Sequence, residues 1–394
     1  MKIVVADDDM SQRLYLGALL RMAGHDVLDA EDGTSALDLL ARTDAAMLIC
    51  DVEMPGIDGL SLASRVREAA FGRYVYILIV TGAETSSGQL GGLKAGADDF
   101  MTKPVDRALL DLRVAAAERY VAHESELQAS HACLARTYRA LQDDLEAAAA
   151  AQRQLLPEPV VRKAGYRFTS RLMPSSFVSG DVFGYFDAGE KKAGFYSADV
   201  SGHGVKAALT AAALARLVTE KDFGDGSERE RGDGDPDSLS RLAASLDRRF
   251  RSETEDATYL TLFAGILGED DDVMRFCQAG YPSPLMLRAD GSVERIGSGG
   301  LPVGLVSGAT FETETVAFRP GDRMLVFSDG IVEAECPSGE AFGEDRLAAF
   351  FADNAALSSC ELLDGLAEAL RAHARQDGFD DDITLIAIEK EKPE

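Results

Sequence analysis

The chain has 394 residues, 46% hydrophobic and 27% charged, which excludes wholesale disorder and supplies apolar material for two or three cores. Forty basic residues against 67 acidic ones leave a net charge of −27, which repels phosphate backbones and anionic lipid and argues against nucleic acid and membrane partners. Cys50, Cys133, Cys277, Cys336 and Cys360 stand far apart with no CxxC pair, so structural zinc is not expected and a reducing, cytoplasmic setting is. Asp7-Asp8-Asp9 interrupts the first apolar run, and no apolar stretch reaches about 18 residues, so neither a signal peptide nor a membrane span is expected.

Residues 1–104 alternate short apolar runs (3–6, 47–50, 76–80) with amphipathic stretches (14–22, 60–69 and a helix around 89–95). This βαβα order predicts a doubly wound parallel sheet, whose ligands sit at the carboxyl ends of its strands. Residues 106–156 contain neither Gly nor Pro and are rich in Ala, Leu, Glu and Arg, a helical composition closed by Pro157 and Pro159. Leu110, Ala117, Tyr120, Leu127, Leu134, Tyr138, Leu141, Leu145, Ala148 and Leu155 fall on one heptad register, with Arg113, Glu124, His131 and Gln152 as polar exceptions. One long helix packed on its own domains would account for this, but a parallel two-stranded coiled coil is favoured because the stripe outlasts any single domain face. From residue 166 to about 389, β-type runs (168–172, 194–198, 260–267, 273–278, 324–327, 383–388) are broken by helices at 205–218 and 362–373, which predicts an α+β layered domain. The stretch 224–237, rich in Gly and acids, reads as a surface loop.

The strand ends of the first region carry Asp7-Asp8, Asp51, Thr81 and Lys103-Pro104, with Asp58 expected as a helix cap. Clustered carboxylates need a cation or a proton, and hard oxygen donors suit Mg²⁺ and phosphoryl chemistry on a carboxylate. Through Val5-Ala6-Asp7-Asp8-Asp9, the run from Cys50 to Gly59, Val80-Thr81-Gly82-Ala83 and Phe100-Met101-Thr102-Lys103-Pro104, residues 2 to about 120 resemble the response-regulator receiver domain. The resemblance implies that Asp51 accepts a phosphoryl group from a sensor histidine kinase. It also implies that Asp8, Asp51 and the Glu53 carbonyl hold Mg²⁺ with help from Asp7, and that Thr81 and Lys103 contact the phosphoryl oxygens. Phe100 would reorient with Thr81, and Lys103-Pro104 would be a cis bond.

The last region presents Ser179-Gly180-Asp181, Asp199-Val200-Ser201-Gly202-His203-Gly204, Ser328-Asp329-Gly330 and Asp380-Asp381-Asp382-Ile383-Thr384. Four aspartates at the edges of apolar runs, without zinc-type ligands, point to an all-oxygen site for two cations, the efficient arrangement for phosphate ester hydrolysis. With the junction from Gln152 to Pro157, the run from Ala279 to Leu285 and Leu301-Pro302-Val303-Gly304-Leu305, these residues resemble the metal-dependent protein phosphatase (PPM) family, in its bacterial branch acting on anti-sigma-factor antagonists. The resemblance implies an αββα sandwich. It makes Asp199 the bridging ligand of two Mn²⁺ or Mg²⁺ ions with the Val200 carbonyl, has Asp329 and Asp381 complete one shell, and has Asp181 hold the other ion through water. A water shared by the ions would then displace serine or threonine from phosphorus. Tyr281 and Ser179 depart from the branch's usual His and Gly. His203 reads as a turn residue in preference to a proton donor, and Arg171, the nearest candidate for a phosphate-binding arginine, as a strand surface residue. The Gly202 and Gly204 amides, at a helix start, are expected to face anionic oxygens.

The sequence thus predicts a receiver (1–120), a helical coiled-coil linker (106–156) and a phosphatase domain (160–390). It reads as a cytoplasmic homodimer in which Asp51 phosphorylation sets hydrolysis of a phosphorylated STAS-type anti-sigma-factor antagonist. The rival reading is a phosphorylation-controlled binding adaptor with a silent phosphatase-like domain, which loss of the metal aspartates would mark. No Gly-Gly-Asp/Glu-Glu-Phe cyclase signature is present.

Overall fold

The computed structural model describes residues 1–69, 71–82, 95–223, 238–251, 258–374 and 378–391. The loop expected at 224–237 and, but for its last residue, the helix expected at 89–95 lie outside the described residues. The chain forms two compact units, Met1–Ala140 and Leu141–Glu394.

The first unit runs β1 (Lys2–Ala6), α1 (Met10–Met22), β2 (Asp26–Ala30), α2 (Gly33–Arg42), β3 (Met47–Asp51), α3 (Gly59–Glu68), β4 (Tyr76–Thr81), β5 (Asp99–Thr102) and the start of α4 (Arg107–Arg153). All strand pairs are parallel, in the order β2-β1-β3-β4-β5. Side chains two apart on a strand share a face. Val4, Leu48, Cys50, Ile77 and Ile79 accordingly pack under α2 and α3, while Ile3, Val5, Ile49, Leu78 and Val80 pack with Leu16, Leu20, Leu110, Val114 and Ala117 of α1 and α4. Asp58 caps α3, accepting from Ser61 N at 2.6 Å. The following Gly59 is required, because a Cβ there would lie 2.2 Å from the Asp51 carbonyl oxygen.

Helix α4 continues unbroken to Arg153. Leu110 and Ala117 are buried, but Leu127, Leu134, Tyr138 and Leu141 of the same stripe are exposed. Near its end the buried position is Ala149, not Ala148, as expected when a 3.6-residue helix drifts against a seven-residue repeat. Among the described residues no helix is long and apolar enough to cross a membrane.

The second unit continues with β6 (Val160–Lys163), β7 (Tyr166–Met173), β8 (Asp181–Asp187), β9 (Lys192–Val200), α5 (Val205–Leu217), α6 (Ser238–Phe250), β10 (Leu260–Gly268) and β11 (Val273–Ala279). Then come β12 (Leu285–Leu287), β13 (Val293–Arg295), β14 (Glu314–Ala317), β15 (Arg323–Phe327), α7 (Gly330–Glu333), α8 (Glu344–Asp353), α9 (Ser359–Ala374) and β16 (Ile383–Lys390). Two antiparallel sheets result, β14-β11-β10-β9-β8 and β13-β12-β15-β16-β7-β6. Phe168, Phe195, Phe263, Phe276, Val326 and Ile386 fill the space between them. Helices α5 and α6 cover the first sheet through Ala211, Leu214, Leu242 and Leu246, and α8 and α9 cover the second through Leu347, Phe351, Leu362 and Leu366. The result is the four-layer αββα arrangement.

Candidate functional site

Acidic residues gather in each unit, but among the described residues only those of the first unit bring three ligand oxygens close enough to hold one ion. In the first, the ends of β1 and β3 lie on adjacent parallel strands, so the Asp7, Asp8 and Asp51 carboxylates come together with ligand oxygens all within 4.8 Å of one another. Thr81 ends β4 beside Asp51's strand, and its carbonyl accepts from Lys103 N at 2.8 Å. The cis Lys103-Pro104 bond follows. Lys103 Nζ lies 2.7 Å from Asp51 Oδ2 and 3.1 Å from Asp7 Oδ2. Burial alone would lower the ammonium's pKa, but the hydrogen bonds to Asp51 and Asp7 outweigh it and hold the value above the usual lysine range. The Glu53 side chain is exposed, and Phe100 on β5 packs partly buried against the receiver core.

In the second unit, β8 and β9 pair so that Asp181 stands directly opposite Asp199. Like charges opposite one another in a ladder repel. Burial, then Asp199, holds the Asp181 carboxyl well above the usual range, against the hydrogen bond from Thr384 that favours its charged form. Burial, then Asp329, Asp381, Asp382 and Glu333, raises Asp199 in the same direction. Asp329 at the start of α7 is raised by burial and by Glu333, one turn further along that helix. Asp381 is raised chiefly by burial, with Asp329 and Asp382 adding to it and His203 opposing. Among the described residues none of Asp181, Asp199, Asp329 and Asp381 has a Lys or Arg ion-pair partner. Thr384 Oγ1 donates to Asp181 Oδ2 at 2.6 Å, whereas Asp181 Oδ1 is buried with no hydrogen-bond partner. A buried carboxylate oxygen without a donor, inside an all-carboxylate set, is chemistry that fits a hard divalent cation.

Some residues near the cluster carried no assigned role in the sequence. Asp382 is buried and accepts from Ser175 N at 2.7 Å, Ser175 Oγ at 3.0 Å and Gly180 N at 2.6 Å, which fixes the approach to β8. Gly330 is required where α7 meets this segment, since a Cβ would lie 2.3 Å from the Asp382 carbonyl oxygen. Glu333, with Gly330, Asp380 and Asp381, lines a cavity of about 440 Å³. A cavity of about 480 Å³ elsewhere is lined by Arg162, Arg167 and Arg323, whose guanidiniums pair with Glu389 and Glu391, and it contains no residue of either cluster.

Other expected residues fall as follows. Val200 ends β9, buried, with its N–H donating to the Gly180 carbonyl at 3.3 Å. Tyr281 is buried, its hydroxyl 2.8 Å from Ser197 Oγ, and burial followed by Asp181 pushes its phenol well up. His203 is exposed, and Gly202 and Gly204 take positive φ just before α5. Arg171 is engaged by Asp364 through two hydrogen bonds of 2.8 and 3.2 Å.

The fold and the two clusters define a class: a receiver-type α/β domain fused to a sandwich of the PP2C-phosphatase type. The chain belongs to the family described as stage II sporulation protein E (SpoIIE), which matches residues 189–391, and it carries a response regulator receiver domain at residues 3–115. Asp181 lies just before the first of these segments. The response regulator PleD of Caulobacter vibrioides is 32% identical over 119 residues, 30% of this chain and 26% of that protein. The protein IcfG of Synechocystis is 25% identical over 261 residues, 62% of this chain and 41% of that protein. The chain thus spans less than half the length of these curated relatives. The SiaA-PP2C domain of Pseudomonas aeruginosa superposes with a TM-score of 0.51 at 20% identity, covering 64% of this chain and 98% of that domain, a likeness of fold.

Proposed function

We propose that this chain is a two-component response regulator in which phosphorylation of Asp51 controls a metal-dependent serine/threonine phosphoprotein phosphatase. The observation that carries this reading is the pairing of buried Asp181 directly opposite half-buried Asp199, with no Lys or Arg ion-pair partner among the described residues and with Asp181 Oδ1 unpartnered. Asp181, Asp199, the Val200 carbonyl, Asp329 and Asp381 would hold two Mn²⁺ or Mg²⁺ ions; Asp7, Asp8, Asp51 and the Glu53 carbonyl would hold Mg²⁺ in the receiver. When bound, the phosphatase ions supply Lewis acidity and a water of lowered pKa. Among the chain's own groups, Asp382 fixes the Gly180 amide beside Asp181, and the cavity bordered by Glu333 and Asp381 offers room for a phosphorylated side chain.

In the receiver (1–120), Asp51 takes the phosphoryl group from a histidine kinase, and Lys103 and Thr81 meet its oxygens. The linker (106–156) carries the change to the phosphatase domain (160–390), paired in a cytoplasmic homodimer through the exposed stripe Leu127, Leu134, Tyr138 and Leu141. The substrate is a phosphoserine or phosphothreonine on an anti-sigma-factor antagonist of the STAS type, a reading supported by membership of the SpoIIE family. The test is Mn²⁺-dependent hydrolysis of an aryl phosphate by the wild type and by Asp199→Asn, each with and without a small phosphodonor for Asp51. Equal rates in the two proteins end the enzyme reading, and rates indifferent to the donor end the regulatory one.

A further inference from the structure

The last turn of α4 is tied to the phosphatase cluster at one point. Ala149, 6% exposed, packs with Val178 and Ala208. Three residues on, on the same helix face, the Gln152 amide makes two hydrogen bonds to one residue. Its Nε2 donates to the Ser179 carbonyl at 2.6 Å, and its Oε1 accepts from Ser179 N at 3.0 Å. This is the exchange a neighbouring β-strand would provide, supplied here by a side chain from the connector.

Ser179 has no exposed surface, and its hydroxyl accepts from Asp181 N at 3.0 Å. The next residue, Gly180, is held from the other side, its N–H donating to Asp382 and its carbonyl accepting from Val200. Of the backbone groups that set Asp181's place, those of Gly180 are therefore satisfied from within the sandwich and those of Ser179 by Gln152. A helix moves 1.5 Å along and about 100° around its axis per residue, whereas hydrogen bonds tolerate a few tenths of an ångström. A change of register in α4 would leave the buried Ser179 N–H and C=O without partners.

We propose that Gln152 is a positioning residue: its clasp on Ser179 makes the cation affinity of Asp181 depend on the register of the connector helix. This rests on the phosphatase reading above and names the contact through which that site is regulated. It is tested on the full chain by calorimetric Mn²⁺ binding and by the Mn²⁺ dependence of aryl phosphate hydrolysis, comparing wild type, Gln152→Ala, Gln152→Glu and, as a control, Gln154→Ala at an exposed neighbour.

Gln152→Ala is expected to weaken Mn²⁺ binding about tenfold, the scale of losing a group that orients a ligand, and to raise half-saturating Mn²⁺ by the same factor. At saturating Mn²⁺, kcat stays within about twofold, the split that separates positioning from general damage. Gln152→Glu, which keeps an acceptor for Ser179 N but sets an oxygen against its carbonyl, weakens binding at least as much and serves should the alanine variant fail to fold. Unchanged Mn²⁺ affinity in these variants, an equal loss in Gln154→Ala, or a fall in kcat at unaltered half-saturation overturns the clasp. A wild type that binds no Mn²⁺ in this unit takes down the metal reading and the clasp together.

Discussion

The two acidic clusters answer the same electrostatic problem in opposite ways. In the receiver, three carboxylates converge at the ends of parallel strands, and Lys103 lies against two of them as a resident counter-cation. In the sandwich, buried Asp181 and half-buried Asp199, Asp329 and Asp381 line a site that no lysine or arginine enters among the described residues, and the carboxyls of these four are driven toward the protonated form. A pocket with its own ammonium is already partly charge-balanced by the chain itself. A pocket without one favours its ionised form only when divalent ions are supplied. What distinguishes the sites is not the aspartates but the company they keep.

The sharpest way to break this contrast is Asp199→Asn. Removing one half-buried charge from a preorganised site is expected to cost on the order of 10²- to 10³-fold in Mn²⁺-dependent turnover. Uptake of phosphate at Asp51 from a small phosphodonor should be untouched, and parallel losses would mean that the clusters are not separate devices. Lys103→Met attacks the other side. With the competing ammonium gone, Mg²⁺ should bind the receiver tighter, on the order of tenfold by equilibrium dialysis, while weaker binding would show that Lys103 does not act as a counter-cation.

The pH dependence of the metal-free chain sharpens the comparison further. Asp199 is raised from 3.8 to about 7, by burial first and then by Asp329 and Asp381. A carboxyl whose folded pKa exceeds its unfolded one contributes stability that is complete below the unfolded value and lost as pH rises through the folded value. Melting of the EDTA-treated protein should therefore fall between pH 5 and 8, on the order of 5 °C for a unit of this size. Added Mn²⁺ should reverse the trend and Asp199→Asn should flatten it; a melting curve that rises over this window would contradict the assigned sign. The smallest effect is expected from Arg171→Ala, which removes a half-exposed ion pair with Asp364 worth at most about 1 kcal/mol. An increase in KM for an aryl phosphate would show that the site borrows a cation after all.

Much of this was legible because the chemistry sits next to strong local signals. Asp7, Asp51, Asp199 and Asp381 adjoin apolar runs, and Gly59 and Gly330 mark places where backbones nearly touch. What escaped depends on distance along the chain. Asp381 and Asp382 are neighbours of one type, and only the donors at Ser175 and Gly180, some two hundred residues away, make Asp382 a strut. Gln152 read as a flaw in a heptad stripe because its partner, Ser179, lies beyond the helix. Helix α6 was within reach, since Leu239, Leu242, Ala243 and Leu246 repeat at helical spacing. Edge strand β2 was not, because its five residues, mixing Val and Leu with two Asp, are too short to outweigh a turn.

The order of the six-stranded sheet has a consequence for synthesis. Strand β16 lies between β15 and β7, so a nascent chain released as far as α9 still presents two unsatisfied ladder edges. Asp381, two residues ahead of that strand, is the last acid of its cluster to emerge. During translation the protein therefore passes through a stage at which most of its interior exists but the set of aspartates is incomplete, and a chaperone shielding those open rims would be guarding a site still short of one acid.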